Sequence, residues 1–302
     1  AWVAQHHFHE QEGGLPSPLL FLAHVGAVTR NIRLGTAIIT LPMENAIRVA
    51  EDAAVLDLLT GGRLELGLGS GGTPSSFEPF GLSFEQRGQV FANHLGTLQQ
   101  AWQGQALADT ANHLYPAASG LTDKIWIATF SVAGAEKAGK AGHGLMLSRT
   151  QPRPEGQPEL PLDALQNPMI DAYLAALPSG VAPRILASRT AFVAADRQYA
   201  RKVALPGLTA QAAAYRQSGH QLRGETLDDF LGQFDAHIGD PPDVLSSLLQ
   251  DSCLSRVTDI SFQVHSVEPE HADVLRSLEL LSRYIAPVLR KHAPKTLSER
   301  SL

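Results

Sequence analysis

The sequence predicts an α/β protein, an eight-stranded (β/α)8 or TIM barrel, and three observations point there. Apolar, β-branched runs alternate with segments of helical period along nearly the whole chain, the pattern of parallel βαβ units. A length of 302 residues suits one such barrel. The glycine-rich and histidine-rich clusters fall where strand runs give way to loops, the end at which barrels carry their chemistry.

Taken in order, strands are expected at 2–6, 32–39, 63–68, 125–129, 143–148, 184–194 and 257–264, and helices near 17–30, 45–60, 84–104, 133–141, 196–218, 241–252 and 270–291. Pro16-Ser17-Pro18 opens the first helix. Ser83, with Gln86 three residues on, reads as a capping box, and Asp240-Pro241-Pro242 caps the helix before the last. Pro294 ends the last helix. An open doubly wound sheet competes, but the strand count favours a barrel. Seven strands and an abrupt apolar start imply that the first βα unit lies upstream of residue 1. After the strand ending near 148 the chain turns Pro-rich, and 149–183 reads as an insertion over the barrel mouth with one short helix around 167–177. The expected organisation is a single barrel domain, 1–302.

Charge and cysteine usage narrow the function. Lys and Arg number 24 against 30 Asp and Glu, a net charge of −6, with 44% hydrophobic and 18% charged residues. That is an ordinary globular balance with no basic field for nucleic acid. The single cysteine, Cys253, excludes an intrachain disulfide and a cysteine-only metal site, and it fits a reducing compartment such as the cytoplasm. No run approaches the roughly 18 apolar residues of a membrane span, and the first residues lack the pattern of a signal peptide.

Four clusters carry candidate chemistry. Gln5-His6-His7-Phe8-His9-Glu10 is the densest polar one. A zinc site is disfavoured there, because neighbouring residues of an extended strand point to opposite faces and no second ligand cluster follows. One histidine facing the barrel mouth suits a proton or hydrogen-bond donor; the plainer reading is a hydrogen-bonded rim histidine. Gly67-Leu68-Gly69-Ser70-Gly71-Gly72 matches G-x-G-x-x-G but lacks the following helix and the acidic residue of a dinucleotide site, which leaves a turn that lets backbone approach a neighbour or ligand closely. Phe130-Ser131-Val132-Ala133-Gly134 enters a helix and presents its amides to an anion, or is an ordinary serine cap. Ser148-Arg149 adds a guanidinium at the next strand end, for a phosphate or for a surface ion pair.

Trp2-Val3-Ala4-Gln5-His6-His7-Phe8, Ile32-Arg33-Leu34-Gly35-Thr36-Ala37-Ile38-Ile39-Thr40-Leu41-Pro42, and Arg48-Val49-Ala50-Glu51-Asp52-Ala53-Ala54 with Gly62-Arg63-Leu64-Glu65-Leu66-Gly67 resemble the bacterial luciferase-like flavin monooxygenases. Residues 125–148 and 239–289 look like further family strands and helices; 150–225 does not align by eye. The resemblance implies a barrel of the luciferase-like type with the flavin at its mouth and one more strand and helix at its start. It makes His6 the active-site histidine that supports the flavin's oxygen chemistry. It places Thr36, Ala37 and Ile38 at the cofactor, with a non-proline cis peptide at Ala37-Ile38. Gly69, Ser70 and Phe130 become further flavin contacts, and Ser131, Val132, Ala133 and Gly134 the phosphate turn. Departures are Gln5, where the family often has Glu, and Gly69, where luciferase has a reactive cysteine. An arginine near Ser70 and an acidic residue near Phe130 are also lacking, for which Ser148 and Arg149 compensate.

The resemblance implies a two-component monooxygenase that takes reduced FMN from a separate flavin reductase and uses dioxygen to oxidise a small organic substrate, with no metal, nucleic acid or membrane as partner. Phe8, Phe77, Phe80 and Phe130 would wall the site or simply fill core. The alternatives are a deazaflavin-dependent hydride-transfer enzyme, with Arg149, Arg153 and Arg184 on an acidic cofactor tail, and a non-catalytic flavin-binding barrel subunit. A homodimer is expected through the first two helices, by way of Leu19, Leu22, Val25, Val49, Ala53 and Leu56, which equally suit inner packing.

Overall fold

The structure is a computed structural model and describes residues 1–8, 14–108, 110–217, 219, 221–222 and 224–292. Two compact units divide it: Ala1–Thr129 with His143–Leu145, and Phe130–Gly142 with Met146–Leu302.

In the first unit four strands pair in sequence order and all run parallel: β1 (Trp2–Val3), β2 (Leu34–Thr40), β3 (Leu64–Gly69) and β4 (Ile125–Ala128). Trp2 lies opposite Gly35, Leu34 opposite Leu64 and Leu66 opposite Ile125. β2 and β3 are buried along almost their whole length, as parallel strands covered on both faces must be. Gly35 is needed for the first pairing: a Cβ there would meet the Trp2 ring at 2.2 Å. Trp2 also packs edge-on against Trp126, 5.7 Å between ring centres, and Trp126 Nε1 donates to Glu65 at 2.7 Å.

Helices α1 (Pro18–Val28), α2 (Ala46–Leu59) and α3 (Arg87–Trp102) cross between these strands. Asn45 caps α2 by accepting the Arg48 N–H at 3.1 Å, and Val49, Ala50, Ala53 and Leu56 form its buried face. Trp102 Nε1 of α3 reaches the Ala50 carbonyl at 3.1 Å. Arg63, just before β3, spreads its guanidinium over the carbonyls of Gly26 and Thr29, at the end of α1, and of Ile32 in the loop that follows. Of the residues expected at a dimer contact, Leu22, Val49, Ala53 and Leu56 are therefore inner packing; the apolar side chains that face outward on these helices include Leu20, Val28, Leu58 and Leu59.

The second unit contains α4 (Val132–Lys140), α5 (Leu162–Ala176), β6 (Ile185–Val193), α6 (Arg197–Gln217), α7 (Leu227–Gln233), β7 (Ala236–Gly239), α8 (Pro241–Gln250), β8 (Asp259–Gln263), α9 (His271–Leu280) and α10 (Ala286–His292), with a π turn at Leu281–Ile285 between the last two. β5 (Gly144–Leu147) spans the boundary of the two units. β6 pairs in parallel with β7 (Thr190 opposite Ala236) and with β8 (Leu186 opposite Asp259). Phe192, Ala204, Leu208, Phe230, Ile238 and Val267 form a core between β6, β7, α6 and α7.

Parallel strands alternating with helices are what the sequence predicts, with four corrections. Eight strands are present among the described residues, not seven; the additional one is β7 at Ala236–Gly239, too short to display an alternating pattern. The expected short helix at 167–177 is the fifteen-residue α5, which begins at Leu162 and serves as the crossover from β5 to β6, so the Pro-rich loop after β5 ends near 161. Ser83 and Gln86 form no capping box: α3 begins at Arg87, and Ser83 Oγ donates to Glu85 at 2.5 Å. The last expected helix is broken by the π turn, and its expected stop at Pro294 lies outside the described residues. No helix among the described residues is long and apolar enough to cross a membrane.

Candidate active site

The loop that leaves β1 is tied to the end of β2 by one buried side chain. Gln5 donates through Nε2 to Glu44 Oε1 at 2.6 Å and to the Pro16 carbonyl at 3.0 Å, and its Oε1 accepts the Thr40 N–H at 2.7 Å. An amide is the group that does this, since a glutamate there would face Glu44 with a second carboxylate. The amide at position 5 is thus matched by Glu44.

Residues 4–7 line a cavity of ≈ 520 Å³, open to solvent, with Ala37, Ile38, Thr40, Met43, Gly71, Gly72, Thr73 and Ser76. His6 and His7 both line it, so the alternation expected of an extended strand does not hold beyond Val3. His6 is half-buried, and its backbone N–H is held by the Leu15 carbonyl at 3.1 Å. The His7 ring packs edge-on to Phe80 at 4.9 Å and near Phe8 at 5.7 Å. Burial pushes its imidazole below the usual histidine range, against the opposing pull of Glu44, and its Nε2 is buried without a hydrogen-bond partner. His9 and Glu10 lie outside the described residues. Among the described residues no group of three His, Cys, Asp or Glu side chains is arranged to hold a metal ion.

The Ala37–Ile38 peptide is cis, and the register between β2 and β3 shifts at this point, between Thr36 and Ile39. Thr36 itself is fully buried and donates its hydroxyl to the Gly67 carbonyl at 2.8 Å, so it joins β2 to β3 and does not line the cavity. Gly69 lies behind Ile38: a Cβ would meet Ile38 Cδ1 at 2.6 Å. Gly71 has φ +84° and a Cβ would strike Thr40 Cγ2 at 2.6 Å, so this turn of the chain admits only glycine. Ser70 is half-buried next to it. Thr40, Met43, Thr73 and Ser76 belong to the same cavity and were not singled out by the sequence; the glycine run was the only signal that backbone approaches something here. Phe77, expected as a wall, is core, packed on Phe84 at 5.2 Å.

The remaining expected residues belong to the second unit. Ser131 caps α4, its Oγ accepting the Gly134 N–H at 3.1 Å, and Phe130, Val132 and Ala133 are exposed at that helix start. Ser148 Oγ accepts the Thr150 N–H at 3.2 Å, and its carbonyl accepts from Gln166 Nε2 at 2.8 Å. Arg149 turns its guanidinium toward β6 and β8: Nε donates to Gln263 Oε1 and Nη1 to Thr190 Oγ1 at 3.2 Å. Deeper in this unit Arg189 is wholly buried and bound by Asp251 (2.6 Å) and Gln166 (2.9 Å). Burial and Arg189 push the nearby His237 imidazole down to about 4, against Asp251, and His237 Nδ1 meets Ser247 Oγ at 2.8 Å.

Residues 1–249 match the family described as luciferase-like monooxygenase. The chain belongs to this family. An uncharacterised protein of Sinorhizobium fredii, y4vJ, is 33% identical over 156 residues, 49% of this chain and 44% of that protein. The oxygenase component of the flavin-dependent trigonelline monooxygenase of Acinetobacter baylyi is 28% identical over 105 residues, 34% of this chain and 29% of its own. The aligned part thus spans less than half the length of these relatives. Among solved structures, monooxygenase RslO1 from Streptomyces bottropensis superposes with a TM-score of 0.73 at 26% identity, covering 95% of this chain and 87% of that one. The oxygenating constituent of 3,6-diketocamphane monooxygenase from Pseudomonas putida, in complex with FMN, gives 0.71 at 18% identity with the same coverage and speaks for the fold alone.

Proposed function

We propose that this luciferase-like protein receives reduced FMN from a separate flavin reductase and inserts one atom of dioxygen into a small organic substrate, the other leaving as water. The observation that carries the reading is the first-unit cavity, in which His6 and His7 meet Ala37, Ile38 and the glycine turn after β3. The flavin-dependent relative and the FMN-bound structural neighbour support the choice of cofactor.

Ala37, Ile38, Gly69 and Ser70 would lie along the flavin ring, with Thr36 fixing their strand from behind. Ser131, Val132, Ala133 and Gly134 would hold the phosphate, because the start of a helix offers unpaired amides and the positive end of its dipole. When bound, the reduced flavin supplies the two electrons that activate dioxygen. His6 donates a hydrogen bond or a proton from an imidazole nitrogen to oxygen as negative charge develops there. Burial shifts His7 toward its neutral form. The outward Leu20, Val28, Leu58 and Leu59 support association as a homodimer, and the lone buried cysteine suits a cytoplasmic protein.

The test is anaerobic titration with reduced FMN and, in parallel, with reduced deazaflavin, followed by mixing with oxygen and recording absorbance. FMN binding, then an oxygen-dependent transient altered in His6→Ala, is the expected result. Tight deazaflavin binding with no transient would turn the reading to hydride transfer, and binding of neither to a non-catalytic subunit.

A further inference from the structure

Arg149 is a half-buried cation without a counter-ion among the described residues. Among the described residues no carboxylate pairs with it, and its only protein partners are the neutral Gln263 and Thr190. Desolvation alone acts on the guanidinium, pulling it below its usual range. A desolvated charge of this kind is costly unless an anion joins it.

The hydrogen-bond pattern specifies what that anion is. Gln263 Oε1 is taken by Arg149 Nε, so the Gln263 amide nitrogen, 3.1 Å from His265 Nε2, is the donor to that ring. His265 Nε2 must then accept, which places the ring proton on Nδ1 and makes the imidazole neutral. Burial and Arg149 both push His265 the same way, below the ordinary histidine range. The cluster therefore holds a single positive charge. Thr190 Oγ1 accepts from Arg149 Nη1, which leaves its own O–H to give, and Arg149 Nη2 meets no acceptor among the described residues. Two donors beside one charge fit a planar, singly charged, two-oxygen anion. A phosphate monoester carries close to two charges and asks for more.

We propose that Arg149, Thr190 and Gln263 form, within the second unit, a binding subsite for the carboxylate of a small organic monoacid. The subsite does not rest on the monooxygenase reading. His265 is a positioning residue that keeps the Gln263 amide turned toward Arg149.

The test is calorimetric titration of flavin-free protein with benzoate, acetate and inorganic phosphate, beside titration with reduced FMN and reduced riboflavin. Binding of a carboxylate probe in preference to phosphate is expected. Arg149→Met should weaken it about tenfold or more, the scale of a charge-assisted hydrogen bond, while FMN affinity changes by less than about twofold. Arg149→Lys keeps the charge but loses the fork, and should retain part of the affinity even if the methionine variant folds poorly. No carboxylate binding, or binding indifferent to both substitutions, would overturn the proposal. So would a loss of FMN but not riboflavin affinity in Arg149→Met, which would give the arginine to the flavin phosphate. Failure to bind any flavin, with benzoate still bound through Arg149, would remove the monooxygenase reading and leave the subsite standing.

Discussion

Two arginines of the second unit, the buried Arg189 and the half-buried Arg149, are partnered in opposite ways. Arg189 has zero exposure and every direction of its guanidinium is answered from within: Asp251 at 2.6 Å, the Ser188 carbonyl at 2.8 Å and Gln166 at 2.9 Å. Arg149 sits at a strand end with two neutral partners and no carboxylate. A cation that its own chain neutralises is structural. One that its chain desolvates and leaves charged is held for something that arrives.

The contrast is broken most sharply at Arg189. Arg189→Met leaves the largely buried Asp251 carboxylate without its counter-charge, and unfolding should cost about 3–5 kcal/mol less than in the native chain; Arg149→Met, which strands no carboxylate, should stay within about 1 kcal/mol of it. Equal losses in a denaturant titration would erase the distinction. Next in size is acidification. His237 titrates at about 4 in the folded chain and near its ordinary value when unfolded, so the unfolded state takes up the proton first. Stability present above about pH 6.5 should fall, by on the order of 3 kcal/mol, as the pH drops toward 4, and His237→Asn should flatten that limb.

The first unit gives a smaller perturbation of the same kind. Gln5→Glu sets a carboxylate against Glu44 and removes a donor, for a loss of about 1–3 kcal/mol at neutral pH. The introduced carboxyl would have its folded pKa raised, so the loss should shrink as the pH falls below that value, the reverse of the His237 limb. A thermal-melt series across pH separates the two. The smallest effect is expected at the exposed cap: Ser131→Ala should cost about 1 kcal/mol and leave the rest of the fold unchanged.

These same residues mark what the sequence makes legible. Strand and helix order was readable because each element carries its own period, and the clusters of Gln5 to Phe8 and Gly67 to Gly72 because they interrupt it. β7 was not: four residues with a buried histidine show no alternation, and His237 is tolerated inside only because Ser247 of α8 meets it. Gln5 was visible as a departure, but its partner Glu44 stands 39 residues away and only folding brings them together. For Arg149 the residue and its strand-end position were evident, whereas Thr190, Gln263 and His265 come from β6 and the end of β8, and no local pattern links them. Thr36 fell in a motif that pointed to the cofactor, and its buried hydroxyl is spent on Gly67.

Cys253 has a use that follows from its seclusion. Burial pushes the thiol up to about 12, and it is the chain's single cysteine. At pH 8 only about one molecule in ten thousand would carry the reactive thiolate. Maleimides and mild oxidants should pass it by, so a cysteine placed anywhere on the exposed surface would be the sole point of attachment for a dye or spin label, with no need to remove the native one.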